Sequence, residues 1–238
     1  TALFPKLPEL YAQGGAKSLI DTFRASTRYA SLIGFPMIIG LAVLAYPVMI
    51  LFAPALKEAA WPLTILCLAM LPSTLGAAIQ PTLLTQERIK VASLITVAFV
   101  ISEAVISCVL LIPVGMAGAA WSRVVASLLS FILGVLALRK SLKIDFDKEA
   151  LLKSSVSSIL MVLAIVSLDV VRQYIAHGAI YSDQILVFSL RFLPIYLTAG
   201  ALAYLVSLIA LKAIKKRDVD LLRDYLPRGF KWVAAWLS

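Results

Sequence analysis

Four ionisable side chains fall inside long apolar runs: Glu103, Arg123, Asp169 and Arg191. At bilayer depth such a group is costly unless it is paired or hydrated. Glu103 lies nine residues before Ile112, and Arg123 eight residues after Gly115, on two runs joined by the short IPVG turn. With a helical rise of about 1.5 Å per residue, both charges sit roughly 12–14 Å below the outer end of antiparallel helices. They share a depth, which admits two readings. In the first, Arg123 faces a water-filled cavity and binds phosphate oxygens through its planar guanidinium. Glu103 then tunes it or carries a coupling proton or sodium ion. In the second, the two only hold their helices together. Asp169 and Arg191 repeat the arrangement on the next two runs, roughly 7–10 Å below the outer end by the same rise. There, reaching to the interface is the simpler account.

Other reactive residues give less. Asp145 and Asp147 form a D-x-D, a pattern some glycosyltransferases use to hold a metal-bound sugar nucleotide. In IDFDKE they stand among Lys143, Lys148 and Lys153, and a solvated loop is the expectation. The one histidine, His177, falls between two apolar runs with no partner motif. Cys67 and Cys108, both within apolar runs, read as small buried hydrophobes, without a disulfide framework or metal spacing. No phosphate-cradling loop, nucleophile–base set or metal cluster stands out. Neither an enzyme nor a cofactor is expected. A polyprenyl-phosphate-dependent membrane enzyme, the competing class, would have to work with Asp145, Asp147 and His177.

The elements that must position the four charges follow from composition. Of 238 residues 61% are hydrophobic and 15% charged, where soluble domains average about 45–50% and about 25%. Mean hydropathy is +0.96. The fold class is therefore all-α integral membrane. Six segments are long enough to cross a bilayer, which takes about 20 residues: 29–52, 61–84, 91–112, 116–138, 155–174 and 185–211. Residues 1–28 form a lead-in with an amphipathic helix. Leu19, Ile20 and Phe23 share one face of it, and Lys17, Asp21, Arg24 and Arg28 another, as in a helix lying at the interface. Residues 139–154 form a basic loop, and 212–238 an amphipathic surface tail.

Of 22 Lys and Arg, eighteen fall on the side of the N-terminal segment, and only Lys57 and Arg172 on the opposite side. Cytoplasmic loops collect Lys and Arg, so a multi-pass plasma-membrane protein with both termini cytoplasmic is expected. Basic residues interleaved with apolar runs make no nucleic-acid patch. Prolines are frequent inside the spans: Pro36, Pro47, Pro62, Pro72, Pro81 and Pro194. They predict bent or broken helices, tolerated where neighbours or cavity water satisfy the freed carbonyls. Gly115, Gly118, Ala119, Ala120 and Gly76, Ala77, Ala78 allow close helix approach.

The opening ALFPKLPELYAQGGAKSLIDTFRASTRYA resembles a segment of the polysaccharide-export flippases in the multidrug/oligosaccharidyl-lipid/polysaccharide exporter superfamily. So do FPMIIGLAVLAYPVMILFAP, PTLLTQERIK, LLIPVGMAGAAWSR and the tail DVDLLRDYLP, in the same order. LFAPALKEAAWP departs from the family pattern in the outer loop after the first span. The resemblance implies a six-helix bundle forming part of the C-terminal lobe of a two-lobed exporter. It implies a polyprenyl-linked oligosaccharide as substrate, flipped by alternating access, with Arg123, Glu103, Arg191 and Asp169 as candidates for binding or coupling. The expected partners are that lipid-linked saccharide, membrane lipids and a missing N-terminal half. The chain begins at Thr1, no signal-peptide pattern follows it, and a piece of something longer is the expectation. Relatives in the superfamily that export drugs or flip the peptidoglycan precursor are the alternative, and a non-catalytic membrane subunit a third class.

Overall fold

A computed structural model describes the backbone of residues 7–52, 54–142, 144, 146–176 and 184–211, and the side chains of 15–52, 55–142, 144, 146–170 and 193–211. Among the described residues every regular element is helical. The helices are α1 (Leu7–Val43), α2 (Ala45–Phe52), α3 (Ala60–Gly76), α4 (Ile79–Thr85), α5 (Ile89–Val114), α6 (Met116–Arg139), α7 (Lys148–Ala176) and α8 (Gln184–Ala210), with a 3₁₀ turn at Pro54–Ala59. Six stretches are long and apolar enough to cross a membrane: Gly15–Val43, Ala55–Thr85, Ile89–Val114, Met116–Arg139, Lys148–Val170 and Leu193–Ala210. The surface tail and His177 lie outside the described residues.

Proline explains the breaks. Pro47, Pro62 and Pro81 are each the third residue of a helix, α2, α3 and α4. In a first turn the backbone N–H has no intrahelical acceptor, so its absence costs nothing there. The second span is consequently two helices, α3 and α4, with a turn at Ala77–Ala78. Pro36 stays inside α1 and denies the Leu32 carbonyl its usual donor. The Tyr204 hydroxyl of α8 supplies one, donating to the Leu32 oxygen at 2.6 Å. Beside it Ser154 of α7 donates to the Ser31 carbonyl at 2.8 Å. The proline in α1 is thus answered by two neighbouring helices.

The amphipathic lead-in differs from expectation. At Gly15 (φ 62, ψ −154) the chain kinks, and from there one helix runs into the first span. Leu19 and Phe23 are fully buried, packed with Ile79, Leu83, Leu138 and Ile144. Their apolar face meets the bundle rather than lipid. A second core joins α7 and α8 to the end of α1 through Leu44, Met161, Ile165, Tyr196 and Leu208. A third packs α3 on α6 through Ile65, Ala69, Ala120 and Val124.

Small residues set the helix spacing. Gly115 (φ 64) makes the turn between α5 and α6. A Cβ on Gly118 would collide with the Leu110 carbonyl oxygen. One on Gly134 would lie 2.7 Å from Cγ2 of Ile79. One face of α5 carries an unbroken exposed stripe, Leu94, Val97, Ile101, Val105, Cys108 and Ile112, at helical spacing. Its residues are apolar throughout, as lipid contact requires. Cys67 is buried as expected, but Cys108 is exposed, because its position in the helical repeat puts it on that stripe.

Candidate functional site: a polar groove and its ion pair

Within the apolar spans, polar residues and one phenylalanine recur at helical spacing. On α5 Thr96, Phe99 and Glu103 are three and four residues apart; on α6 so are Arg123, Ser127 and Ser130. Each set occupies one face of its helix. The two faces meet beside the break between α3 and α4. There a groove of about 320 Å³ is lined by Ser73, Gln80, Thr96, Phe99, Ser127 and Ser130, among others.

Arg123 and Glu103 form the ion pair that their shared depth allows. Nη1 of Arg123 donates to both carboxylate oxygens, at 2.9 and 2.8 Å. The guanidinium carbon lies 4.8 Å above the centroid of Phe99, a cation–π distance. Since Phe99 also lines the groove, its ring joins the pair to it. Nη1 alone meets the carboxylate; Nε and Nη2 make no hydrogen bond among the described residues. The side chains are 47% and 29% exposed, which leaves the guanidinium accessible while the carboxylate neutralises it.

The helix break contributes directly. Ala77, whose carbonyl loses its helical donor to Pro81, lines the groove. Gln80 donates through Nε2 to the Thr96 hydroxyl at 2.9 Å, fastening α4 to α5. Gln80, Ser127 and Ser130 were not singled out by sequence reasoning. Their signal is an amide beside a mid-span proline, and serines one and two turns beyond Arg123.

Asp169 accepts a hydrogen bond from the Tyr196 hydroxyl at 3.0 Å, linking α7 to α8. The side chain of Arg191 lies outside the described residues.

The D-x-D segment departs from expectation. Asp147 is not solvated; it is 5% exposed. One carboxylate oxygen accepts the Ala150 N–H at 3.1 Å, capping α7. The other lies 3.7 Å from Nη1 of Arg28. Arg28, placed by its helical face among exposed cations, is buried with it. Phe146 packs edge-on against Phe23 at 5.5 Å, which closes the same corner. Asp145 lies outside the described residues. Among the described residues no group of His, Cys, Asp or Glu could hold a metal.

Comparison with known proteins identifies the frame around these features. No curated protein matches the chain. A solved structure described as "Lipid II flippase MurJ, inward closed conformation" superposes with TM-score 0.65 at 14% identity, over 94% of this chain and 42% of that one. The chain thus spans less than half the length of that protein, and the likeness is one of fold. The family profile "Lipid II flippase MurJ" matches residues 1–210. The expectation of a flippase in the exporter superfamily is met, while the polysaccharide-export assignment gives way to a sister family. By that match the chain belongs to the lipid II flippase MurJ family.

Proposed function

We propose that the transporter containing this chain moves a lipid-linked precursor of the lipid II type between leaflets by alternating access, with Arg123 taking up headgroup oxygens at the polar groove. The observation that carries this is the half-used guanidinium. Arg123 is held by Glu103 and Phe99 yet keeps Nε and Nη2 unengaged, and Phe99 is itself part of the groove wall. A purely structural pair gains most from a fork-to-fork arrangement that uses two guanidinium nitrogens. Glu103 is the coupling candidate, since a proton or sodium ion on its carboxylate would release the arginine. Asp169 and Arg191 stand as secondary candidates. We read the basic ends of the helices, and both termini, as cytoplasmic. Residues 1–28, 139–154 and 212–238 are then cytoplasmic segments around the spans, in a partial lobe that works with the rest of the transporter.

A lipid-linked oligosaccharide is the second reading, supported by the motif resemblance in ALFPKLPELYAQGG and LLIPVGMAGAAWSR. One experiment separates the two. In proteoliposomes containing the whole transporter, fluorescent lipid II and a fluorescent polyprenyl-linked oligosaccharide compete for translocation. Preference for lipid II supports the first reading, and preference for the oligosaccharide the second. Arg123→Ala is expected to abolish movement of the preferred lipid while the protein stays inserted and monodisperse. Unchanged movement would remove Arg123 from the site.

A further inference from the structure

We propose that a second groove, on the other side of the α5–α6 seam, is a binding site for an anionic glycerophospholipid of the surrounding leaflet. It measures about 430 Å³. Its walls are Val91, Leu94, Ile95 and Ala98 of α5 with Leu133, Leu136 and Ala137 of α6, and its only polar lining residues are Arg88 and Lys140.

The two cations stand at one end. Arg88 immediately precedes α5 and Lys140 immediately follows α6, so in this antiparallel pair they flank the same mouth. Neither makes a side-chain hydrogen bond or ion pair among the described residues. Arg88 gives no side-chain cap to α5, whose first N–H groups and positive dipole end therefore stay open to an anion. Glu87 is the adjacent acid; Lys90 and Arg139 bring the local cations to four.

The apolar part fits a chain rather than a helix. From Arg88 to Ala98 is ten residues, about 15 Å along the axis, which is half of a roughly 30 Å hydrocarbon core and so one leaflet. Ala98 and Ala137 keep the slot open because they are small. A partner helix, about 10 Å across, is too wide for a slot of this volume. The slot also adjoins the exposed stripe through Leu94, which belongs to both, whereas Thr96 and Phe99 line the polar groove. Phosphate between two cations, with its tail in an apolar slot at leaflet depth, is how basic pockets between membrane helices take anionic lipids.

The test uses the whole transporter in detergent, offered phosphatidylglycerol and phosphatidylcholine of equal chain length, with bound lipid counted by native mass spectrometry. Each cation near a membrane surface is worth about fivefold, so a preference of about 25-fold for phosphatidylglycerol is expected. Arg88→Gln with Lys140→Gln should erase it. Lys90→Gln with Arg139→Gln, the same charge change outside the slot, should keep most of it. Ala98→Phe should lower retention of both lipids. The proposal is overturned if the two double variants lose preference equally, if R88Q/K140Q keeps it, or if a polyprenyl phosphate displaces phosphatidylglycerol. That last result would make the slot part of the transport path.

Discussion

Arg123 and Glu103 are joined through a single guanidinium nitrogen, with Nη1 bonded to both carboxylate oxygens and the guanidinium lying over Phe99. Partly exposed pairs contribute little to stability, about 1 kcal/mol or less. The Glu103→Arg/Arg123→Glu exchange should therefore fold and insert normally, with a melting temperature in detergent close to wild type. It should not restore translocation, because the cation would move from α6, one turn from Ser127, to α5. Recovery of translocation by the exchange would reduce the pair to a helix fastener.

The buried pair at the other end of the bundle should behave in the opposite way. Arg28 and Asp147 are both nearly inaccessible, and removing one partner of a buried pair costs about 3–5 kcal/mol. Arg28→Ala should lower unfolding stability by that order, measured by denaturant titration in detergent. Asp147→Asn keeps an oxygen to cap α7 and should cost about 1 kcal/mol less than Asp147→Ala. Equal losses would mean that the cap contributes nothing.

Tyr204→Phe removes the hydroxyl that serves the Leu32 carbonyl left over by Pro36. A buried acceptor without a partner costs about 1–3 kcal/mol, to be read as a fall in thermal stability. If the hydroxyl matters for that reason, a Pro36→Ala background, which returns to the Leu32 carbonyl its intrahelical donor at residue 36, should shrink the loss. An unchanged loss in that background would show that Leu32 is not the acceptor that counts.

Gly134→Ala should destabilise by about 1–3 kcal/mol through overpacking, since its new methyl would meet Ile79. Ile79→Ala, a large-to-small change in the core, costs about 2–5 kcal/mol. The double variant should lose clearly less than the sum, the mark of neighbours that share one space. Strict additivity would mean that α4 and α6 do not touch there.

What the sequence makes legible is what local rules govern. Apolar length yields the spans, and the 1.5 Å rise places Glu103 and Arg123 at one depth on neighbouring helices. Long-range packing is the part that stays hidden. Leu19 and Phe23 look ready for a lipid interface until Ile79 and Leu138 cover them. Asp147 looks solvated among lysines because its partner, Arg28, is on a helix far away in sequence. The site was half visible: its ion pair stood out, whereas the groove residues Gln80, Ser127 and Ser130 are ordinary until the α3–α4 break brings them together. The family was harder to specify, since short motifs in apolar segments are shared between sister flippases.

The interruption at Ala77–Ala78 gives the groove a chemical direction. At one side its wall holds the Ala77 carbonyl, stripped of its helical donor by Pro81; at another, past Phe99, stands the Arg123 guanidinium. A guest reaching both would need a hydrogen to give to the first and an anionic oxygen to bring to the second.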